Sequence, residues 1–275
     1  MKRLLSIVAS LALIICFLPA NGTAQKKQLM MATTTSTDNT GLLDYIIPKF
    51  EENTGIELKW TATGTGKALK MGENCDVDIL MVHAPASEKK FVNNGFGTDR
   101  KEIMYNDFVI IGPAQDHAAI KGKSIKDALQ LIKSKKAIFV SRGDNSGTNK
   151  KELFLWQSSH IPVPEKERWY IQTGQGMLAT INIATERNGY TMSDRGTYIK
   201  YEANRKGNPP LKILVEGDAV LLNQYSVIAI NKNHCSNARY DLAKHFIKWI
   251  TGTEAQQMIK NFRLLGKQLF TPNAK

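Results

Sequence analysis

Residues 137–157 read AIFVSRGDNSGTNKKELFLWQ and pass from an apolar run to a helix-like run through a small polar loop. AIFV has the length and composition of a buried strand, and NKKELFLWQ is typical of a helix. The loop between them, SRGDNSGT (141–148), contains no large side chain apart from one arginine. A strand, a tight turn and a helix in this order form the unit from which α/β proteins are built.

The same alternation extends over most of the chain. Further strands are predicted at 28–35, 56–62, 76–83, 103–112, 168–173, 190–194, 211–217 and 223–231. Between the first two, apolar residues at helical spacing run from Leu42 to Phe50, and Gly55 marks the end of that helix. Pro48 conflicts with the pattern and predicts a kink or a late helix start.

Two long apolar runs, near 104–112 and 223–231, predict strands that cross between two lobes. Because the chain leaves the first sheet and returns to it, the two C-terminal helices should pack on the first lobe. We therefore predict an α/β fold with lobe I at 25–110 plus 226–275, lobe II at 111–225, and a cleft between them.

The first 24 residues are typical of a secretory signal peptide. Lys2 and Arg3 precede an apolar core of about 15 residues, and small residues follow up to Ala24. A membrane anchor would need roughly 20 apolar residues, and Cys16 lacks the small preceding residue of a lipid attachment site. We predict cleavage near Ala24 and a periplasmic location.

The charge balance favours an anionic partner. Without Lys2 and Arg3, the 37 basic residues become 35, against 25 acidic ones, which leaves a net charge of about +10. The lysines occur in scattered pairs without interleaved aromatic residues, which argues against nucleic acid. The histidines lack metal-ligand spacing, so no metal or cofactor is predicted. Cys75 and Cys235 permit one disulfide at most, and spacing alone leaves its formation open.

The last residues of SRGDNSGT lie at a helix N-terminus, where free N–H groups and a partial positive charge favour an anion. Arg142 adds a charged fork, Ser146 and Thr148 add hydroxyl donors, and Gly147 permits close approach to the backbone. The alternative is an ordinary N-cap, since serine before a helix commonly serves that purpose.

Two other turns of the same kind favour the anion site. TTTST (33–37) and GTGK (64–67) each join a strand to a helix. In an open α/β sheet such turns gather at the carboxyl ends of the strands, where ligands bind. We therefore interpret the three turns as the walls of one anion pocket.

Enzyme motifs fit these turns poorly. TGTGKA lacks the first glycine and the final hydroxyl residue of a P-loop, and GTGKAL lacks the third glycine of the dinucleotide fingerprint. In GDNSG the serine comes one position too late for a nucleophile elbow. The sequence predicts a binding protein rather than an enzyme, with a phosphoester hydrolase as a distant alternative.

TTTSTDNTG, GTGK, VHAP (82–85) and SRGDNSGT, in this order along an exported α/β chain, resemble the tungstate-binding proteins of Tup-type ABC importers. The resemblance covers essentially the whole mature chain. It implies the type II solute-binding fold and delivery of tungstate to a permease and its ATPase subunit, and we expect a monomer. It also implies that the anion contacts Arg142, Ser146, Gly147 and Thr148, together with Thr35, Ser36, Thr65 and Gly66. The turns at 173–177 and 193–197 are weaker candidates, with ordinary helix starts as their alternative.

VHAP departs from the related phosphate-binding proteins, which have an aspartate where this chain has His83. A carboxylate there can accept the proton of hydrogen phosphate. Its absence favours a fully deprotonated dianion, namely tungstate, molybdate or sulfate, and the resemblance alone selects tungstate. Molybdate, sulfate or phosphate binding stays the nearest alternative. His83 itself is interpreted as a packed residue at a strand end and not as a ligand.

Overall fold

The computed structural model describes residues 27–275, so the predicted signal peptide (1–24) and Cys16 lie outside the described residues. The strands are β1 Lys27–Thr34, β2 Ile56–Thr63, β3 Ile79–Val82, β4 Gly97–Pro113, β5 Phe139–Ser141, β6 Tyr170–Gln172, β7 Thr191–Asp194, β8 Leu211–Val215, β9 Leu222–Ile230, β10 Arg263–Leu264, β11 Lys267–Gln268 and β12 Thr271–Pro272. The helices are α1 Thr35–Asp38, α2 Leu42–Thr54, α3 Thr65–Glu73, α4 Pro85–Asn93, α5 Ile125–Ser134, α6 Gly147–Ser158, α7 Met177–Glu186, α8 Arg195–Asn204, α9 Tyr240–Ile250 and α10 Thr253–Asn261. None of these helices is long and apolar enough to cross a membrane.

The central sheet has the strand order β12-β4-β9-β3-β1-β2. Strand β1 runs parallel to both β2 and β3, whereas β9 runs antiparallel to β3 and β4. Because β1, β2 and β3 share one direction, the turns that follow them lie at the same edge of the sheet. This edge carries TTTST, GTGK and VHAP.

Strand β4 connects the two lobes. It pairs with β9 as far as Asp107, and from Phe108 onwards it pairs with β7 and β8 instead. Strand β9 returns the chain to the central sheet. This is the predicted two-lobed α/β fold with two crossing strands, and the prediction is confirmed; the lobe boundaries at 110/111 and 225/226 stay a prediction.

The second lobe places the loop 141–148 between β5 and α6. Strand β5 pairs in parallel with β6. The ring of Phe139 on β5 contacts Trp156 on α6 edge to face, with 5.3 Å between ring centroids, and both side chains are fully buried. The loop is therefore held at both ends by a packed strand and a packed helix.

The C-terminal helices pack on the first lobe, as predicted. Phe246 of α9 contacts Phe50 of α2 edge to face at 5.1 Å between centroids, and both belong to the core beneath β1 and β3. Cys75 and Cys235 form a disulfide with 5.4 Å between their Cα atoms. That bond settles the pairing that spacing left open, and it ties the chain segment after β9 to the first lobe.

Two local predictions need correction. Helix α2 begins at Leu42 and continues through Pro48, so the late start is wrong, and the alternative of a kink stays a prediction. Pro48 cannot donate to the carbonyl of Asp44, but Asp44 is exposed and water can reach that carbonyl instead. TTTST is also more ordered than a loop, because Thr35–Asp38 form one helical turn that Thr34 caps.

Candidate functional site

A cavity of about 910 Å³ lies between the lobes, and the N-cap residues of five helices line it. These helices are α1, α3, α6, α7 and α8, capped by Thr34, Gly64, Ser146, Gly176 and Asp194. All eight predicted site residues lie on its wall: Thr35, Ser36, Thr65, Gly66, Arg142, Ser146, Gly147 and Thr148. The structure brings the three predicted turns together, and their contact with an anion stays a prediction.

Ser146 serves as an N-cap and also lines the cavity. Its Oγ accepts a hydrogen bond from Asn149 N at 3.2 Å. The amide N–H groups of Gly147 and Thr148 lie in the first turn of α6, where the helix itself offers no acceptor. The two interpretations of the loop are therefore compatible, since the cap fixes the helix end that can receive an anion.

Arg142 is held within its own loop by Asp144. Its Nε and an Nη lie 3.1 Å and 2.5 Å from Asp144 Oδ2. Burial raises the pKa of Asp144, but hydrogen bonds from Ser146 and the nearby Arg142 outweigh it and hold that pKa below its usual value. Two of the five guanidinium N–H groups are thus used to orient Arg142, and the others are free of this ion pair.

The three hydroxyl groups of Thr34, Thr35 and Ser36 in the first turn have different hydrogen-bond partners. Thr35 Oγ1 donates to Thr63 O at 3.3 Å, which directs it towards β2. Thr34, which the prediction omitted, accepts from Thr37 N at 3.2 Å through its Oγ1. Ser36 Oγ lies 3.1 Å from His83 Nε2 and 3.1 Å from Thr34 Oγ1. Ser36 therefore belongs to a hydroxyl cluster centred on His83.

His83 is fixed in one tautomer by its neighbours. Its Nδ1 lies 3.0 Å from Asn223 Oδ1, while Asn223 Nδ2 donates to Asn106 Oδ1 at 2.8 Å. Because an amide oxygen only accepts, Nδ1 carries the proton, and Nε2 is left as an acceptor towards Thr34 and Ser36. Burial lowers the pKa of His83. The imidazole is thus neutral, and its Nε2 can accept a hydrogen bond from one of the two hydroxyls. The other hydroxyl is left to donate elsewhere.

The two lobes approach closely at Gly147. A Cβ placed there would lie 3.5 Å from His83 Cε1 and 3.6 Å from Thr65 Oγ1. The N-terminus of α6 in one lobe therefore faces the turns after β2 and β3 in the other. Gly147 keeps this gap free of a side chain.

The weaker candidate turns also reach the cavity. Gly176, Met177, Asp194 and Thr197 line it. Asp194 is 8% exposed and caps α8, with its oxygens accepting from Thr197 N at 2.9 Å and Thr197 Oγ1 at 2.7 Å. The cavity wall therefore contains a carboxylate, that of Asp194, although position 83 is a histidine. The pattern of a strand, Asp and a Thr three residues later could have drawn attention to this cap.

Three lysines on the wall were not predicted. Lys67, Lys150 and Lys200 line the cavity, and none of them forms a salt bridge with another residue of the part described, 27–275. Lys67 and Lys150 lie near the N-termini of α3 and α6, where the helix dipole disfavours a cation. That unfavourable placement is the sequence signal that could have identified them.

A group of residue types that can ligate metals lies elsewhere. Among residues 27–275, one group of three potential ligands was found, Cys75, His234 and Cys235, and its two cysteines are joined in the disulfide. This group lies away from the residues that line the cavity.

Two α/β lobes joined by crossing strands around a cavity define the class of solute-binding proteins. A family model described as PBP superfamily domain matches residues 19–254. The tungstate-binding protein TupA of Campylobacter jejuni is 55% identical over 240 residues, which cover 87% of this chain and 89% of the relative. The chain therefore belongs to the PBP superfamily and, within it, to the family of the tungstate-binding proteins TupA.

Two further relatives support this assignment. TupA of Peptoclostridium acidaminophilum is 42% identical over 290 residues, covering 100% of this chain and 99% of the relative. The solved structure of the tungstate-binding protein TupA from Desulfovibrio alaskensis G20 is 65% identical, with a TM-score of 0.87 over 90% of this chain and 100% of that chain. The predicted family is thus confirmed.

Proposed function

We propose that this chain captures tungstate in the cavity between its lobes and delivers it to the permease of an ABC importer. The observation that carries the proposal is the convergence of five helix N-termini and Arg142 on one cavity. Helix N-termini supply preorganised N–H donors and a partial positive charge, which suit a small anion. The TupA relatives support tungstate as that anion.

Closure of the lobes completes the site. The cavity of about 910 Å³ is far larger than one tetrahedral oxyanion needs. For comparison, one water molecule takes up about 30 Å³ in the liquid, so the cavity has room for the anion and many waters. The α6 turn already lies close to the turn after β2 at Gly147 and Thr65, so we expect rotation about the crossing strands β4 and β9 to open the cavity for the anion and then close it. We place the moving bodies at 25–110 plus 226–275 and at 111–225.

The hydrogen-bond acceptors of the wall favour an anion without a proton. Asp144 receives bonds from Arg142 and Ser146, Asp194 receives two from Thr197, and His83 Nε2 faces two hydroxyls. A hydrogen phosphate ion would have to compete with these donors for an acceptor. Tungstate, molybdate and sulfate carry no such proton.

Competition calorimetry with tungstate, molybdate, sulfate and phosphate tests the proposal. We expect tungstate to bind most tightly, and Arg142→Ala to weaken its binding at least tenfold, because a charge-assisted hydrogen bond contributes roughly 1.5–3 kcal/mol. Arg263→Ala, at an exposed position of β10 outside the cavity wall, serves as the control. Comparable affinity for sulfate would overturn the assignment of tungstate, and unchanged affinity in Arg142→Ala with a normal melting curve would remove Arg142 from the site.

A phosphoester hydrolase is the second candidate, because Ser36, His83 and Asn223 are connected like a nucleophile, a base and its orienting residue. Binding is favoured over catalysis, since His83 Nε2 lies equally close, at 3.1 Å, to Thr34 Oγ1. Incubation with an activated phosphoester decides between them. Turnover that disappears in Ser36→Ala would establish the hydrolase.

The cellular setting follows from the same proposal. We infer an exported, periplasmic monomer, released from a signal peptide at residues 1–24, that binds an oxyanion as ligand without a cofactor and does not bind nucleic acid. The membership in the PBP superfamily supports the transport role.

A further inference from the structure

Glu152 is a buried carboxylate beneath the loop 141–148. It lies on α6, is 4% exposed, and does not line the cavity. No cation within residues 27–275 forms a salt bridge with it. A carboxylate in such surroundings is costly unless donors satisfy it, so its presence calls for a local reason.

Four donors surround this carboxylate. Oε1 accepts from Trp156 Nε1 at 2.9 Å and from Tyr170 OH at 2.6 Å. Oε2 accepts from Asn149 Nδ2 at 3.5 Å and from the Ser141 hydroxyl. Two donors belong to the core of the lobe, and the other two belong to residues that hold the loop.

Ser141 and Asn149 pass this constraint to the loop backbone. Ser141 Oγ accepts from Gly143 N and from Asn149 Nδ2, both at 3.3 Å, so its own proton is free to point at Glu152. Asn149 Oδ1 accepts from Asn145 N at 3.1 Å. The carboxylate therefore orients the two side chains that hold the backbone N–H groups of Gly143 and Asn145.

Gly143 and Asn145 are the left-handed positions of the loop. Their φ angles are 57° and 61°, a region that glycine adopts freely and asparagine adopts more readily than most residues. They flank Asp144, which orients Arg142. The conformation of the loop, and with it the direction of the arginine, thus depends on contacts that end at Glu152.

We propose that Glu152 is a positioning residue that holds the loop 141–148 in its anion-binding conformation before the anion arrives. The expected effect of Glu152 on anion affinity rests on the proposed function, whereas its expected effect on the loop of the ligand-free protein does not. Glu152→Gln keeps the volume and presents an NH₂ group to donors, so at least one of the four contacts must break.

Hydrogen exchange of the ligand-free protein tests the positioning directly. In Glu152→Gln, we expect the amides of Gly143 and Asn145 to exchange at least tenfold faster than in the wild type. The matched control is Asp78→Asn, an equally conservative change at a carboxylate that is 6% exposed and accepts from Met30 N and Arg239 N far from the loop. Equal exchange rates at the two loop amides in both variants would overturn the proposal.

Tungstate calorimetry measures a change in affinity, which a loss of stability alone would not produce. We expect Glu152→Gln to lower the affinity at least tenfold, and to lower it less when Arg142→Ala is already present, because both act through the same loop. Asp78→Asn should lower the melting temperature and leave the affinity unchanged. Additive effects of Glu152→Gln and Arg142→Ala would contradict the proposal.

Failure of the proposed function and failure of the proposed role of Glu152 give different results. If the wild type fails to bind tungstate, the proposed function fails, and the exchange experiment still decides the role of Glu152. If Glu152→Gln does not fold, Ser141→Ala takes its place, since it removes the link between the carboxylate and Gly143 N. The same rise in exchange at Gly143 is expected, and its absence counts against the proposal.

Discussion

At the scale of single residues, His83 should make the stability of the protein depend on pH. The pKa of histidine is about 6.5 in an unfolded chain, and burial lowers the pKa of His83 in the folded protein. The unfolded state therefore binds the extra proton first. The contribution of neutral His83 to the free energy of unfolding is complete above about pH 6.5 and is lost as the pH falls towards the folded pKa.

Melting temperatures of the anion-free protein between pH 7.5 and pH 5 check this prediction. We expect His83→Gln to lose stability less steeply than the wild type as the pH falls, because glutamine does not titrate. His245→Gln, at an exposed site on α9, should retain the wild-type slope. Burial raises the pKa of two carboxyl groups, Glu88 and Glu152, but both are present in every variant, so their effect cancels in the comparison. Identical slopes in His83→Gln and the wild type would show that His83 is not the group responsible.

The residue types of the loop 141–148 drew attention to Arg142, Ser146, Gly147 and Thr148, and the family resemblance added Thr35, Ser36, Thr65 and Gly66; all eight line the cavity. The role of His83 could not be predicted, because it depends on Asn223 and Asn106, which are distant in sequence and meet only where the crossing strands pair. Glu152 was missed for a related reason. On a helical pattern it looks like an ordinary polar position, and only the fold surrounds it with four donors.

At the scale of elements, apolar runs and helical spacing predicted β1 to β9 and the helices α2, α6, α9 and α10, since each has a buried face or a fully buried run. They failed for β10, β11 and β12, which have two residues each and are too short for an alternating pattern. Helix α1 was missed because a run of threonines and serine favours a turn until Thr34 caps it.

Helix α6 permits a test that separates capping from anion binding. Aspartate caps a helix about as well as serine, so Ser146→Asp should leave the melting temperature close to that of the wild type. It also places a negative charge on the cavity wall, and Coulomb repulsion should lower tungstate affinity by at least about a hundredfold. Ser146→Ala is the control, because it loses both cap and hydroxyl without adding charge. Full affinity in Ser146→Asp would place the anion away from α6.

At the scale of the whole molecule, part of the positive charge lies where it can act on the ligand. Lys67, Lys150 and Lys200 come from three different helices in both lobes and line one cavity. Lys200 also donates to the carbonyl oxygen of Asn39 across the cleft. Charges around a cleft raise the local concentration of an oppositely charged ligand and speed its association, to a degree that salt reduces.

Replacement of all three lysines by glutamine should therefore slow tungstate association more than it speeds dissociation. We expect the association rate constant to fall by about tenfold at low salt, because steering by a charged cleft changes on-rates by 10-fold or more. The difference should shrink as salt rises, since the screening length falls from about 10 Å at 0.1 M to about 3 Å at 1 M. Lys126, Lys133 and Lys166, exposed and outside the cavity wall, give a control variant with the same change in net charge. Stopped-flow measurements on both variants separate the two rates. If the control slows association as much as the cavity variant, net charge alone attracts the anion, and the position of the three lysines carries no weight.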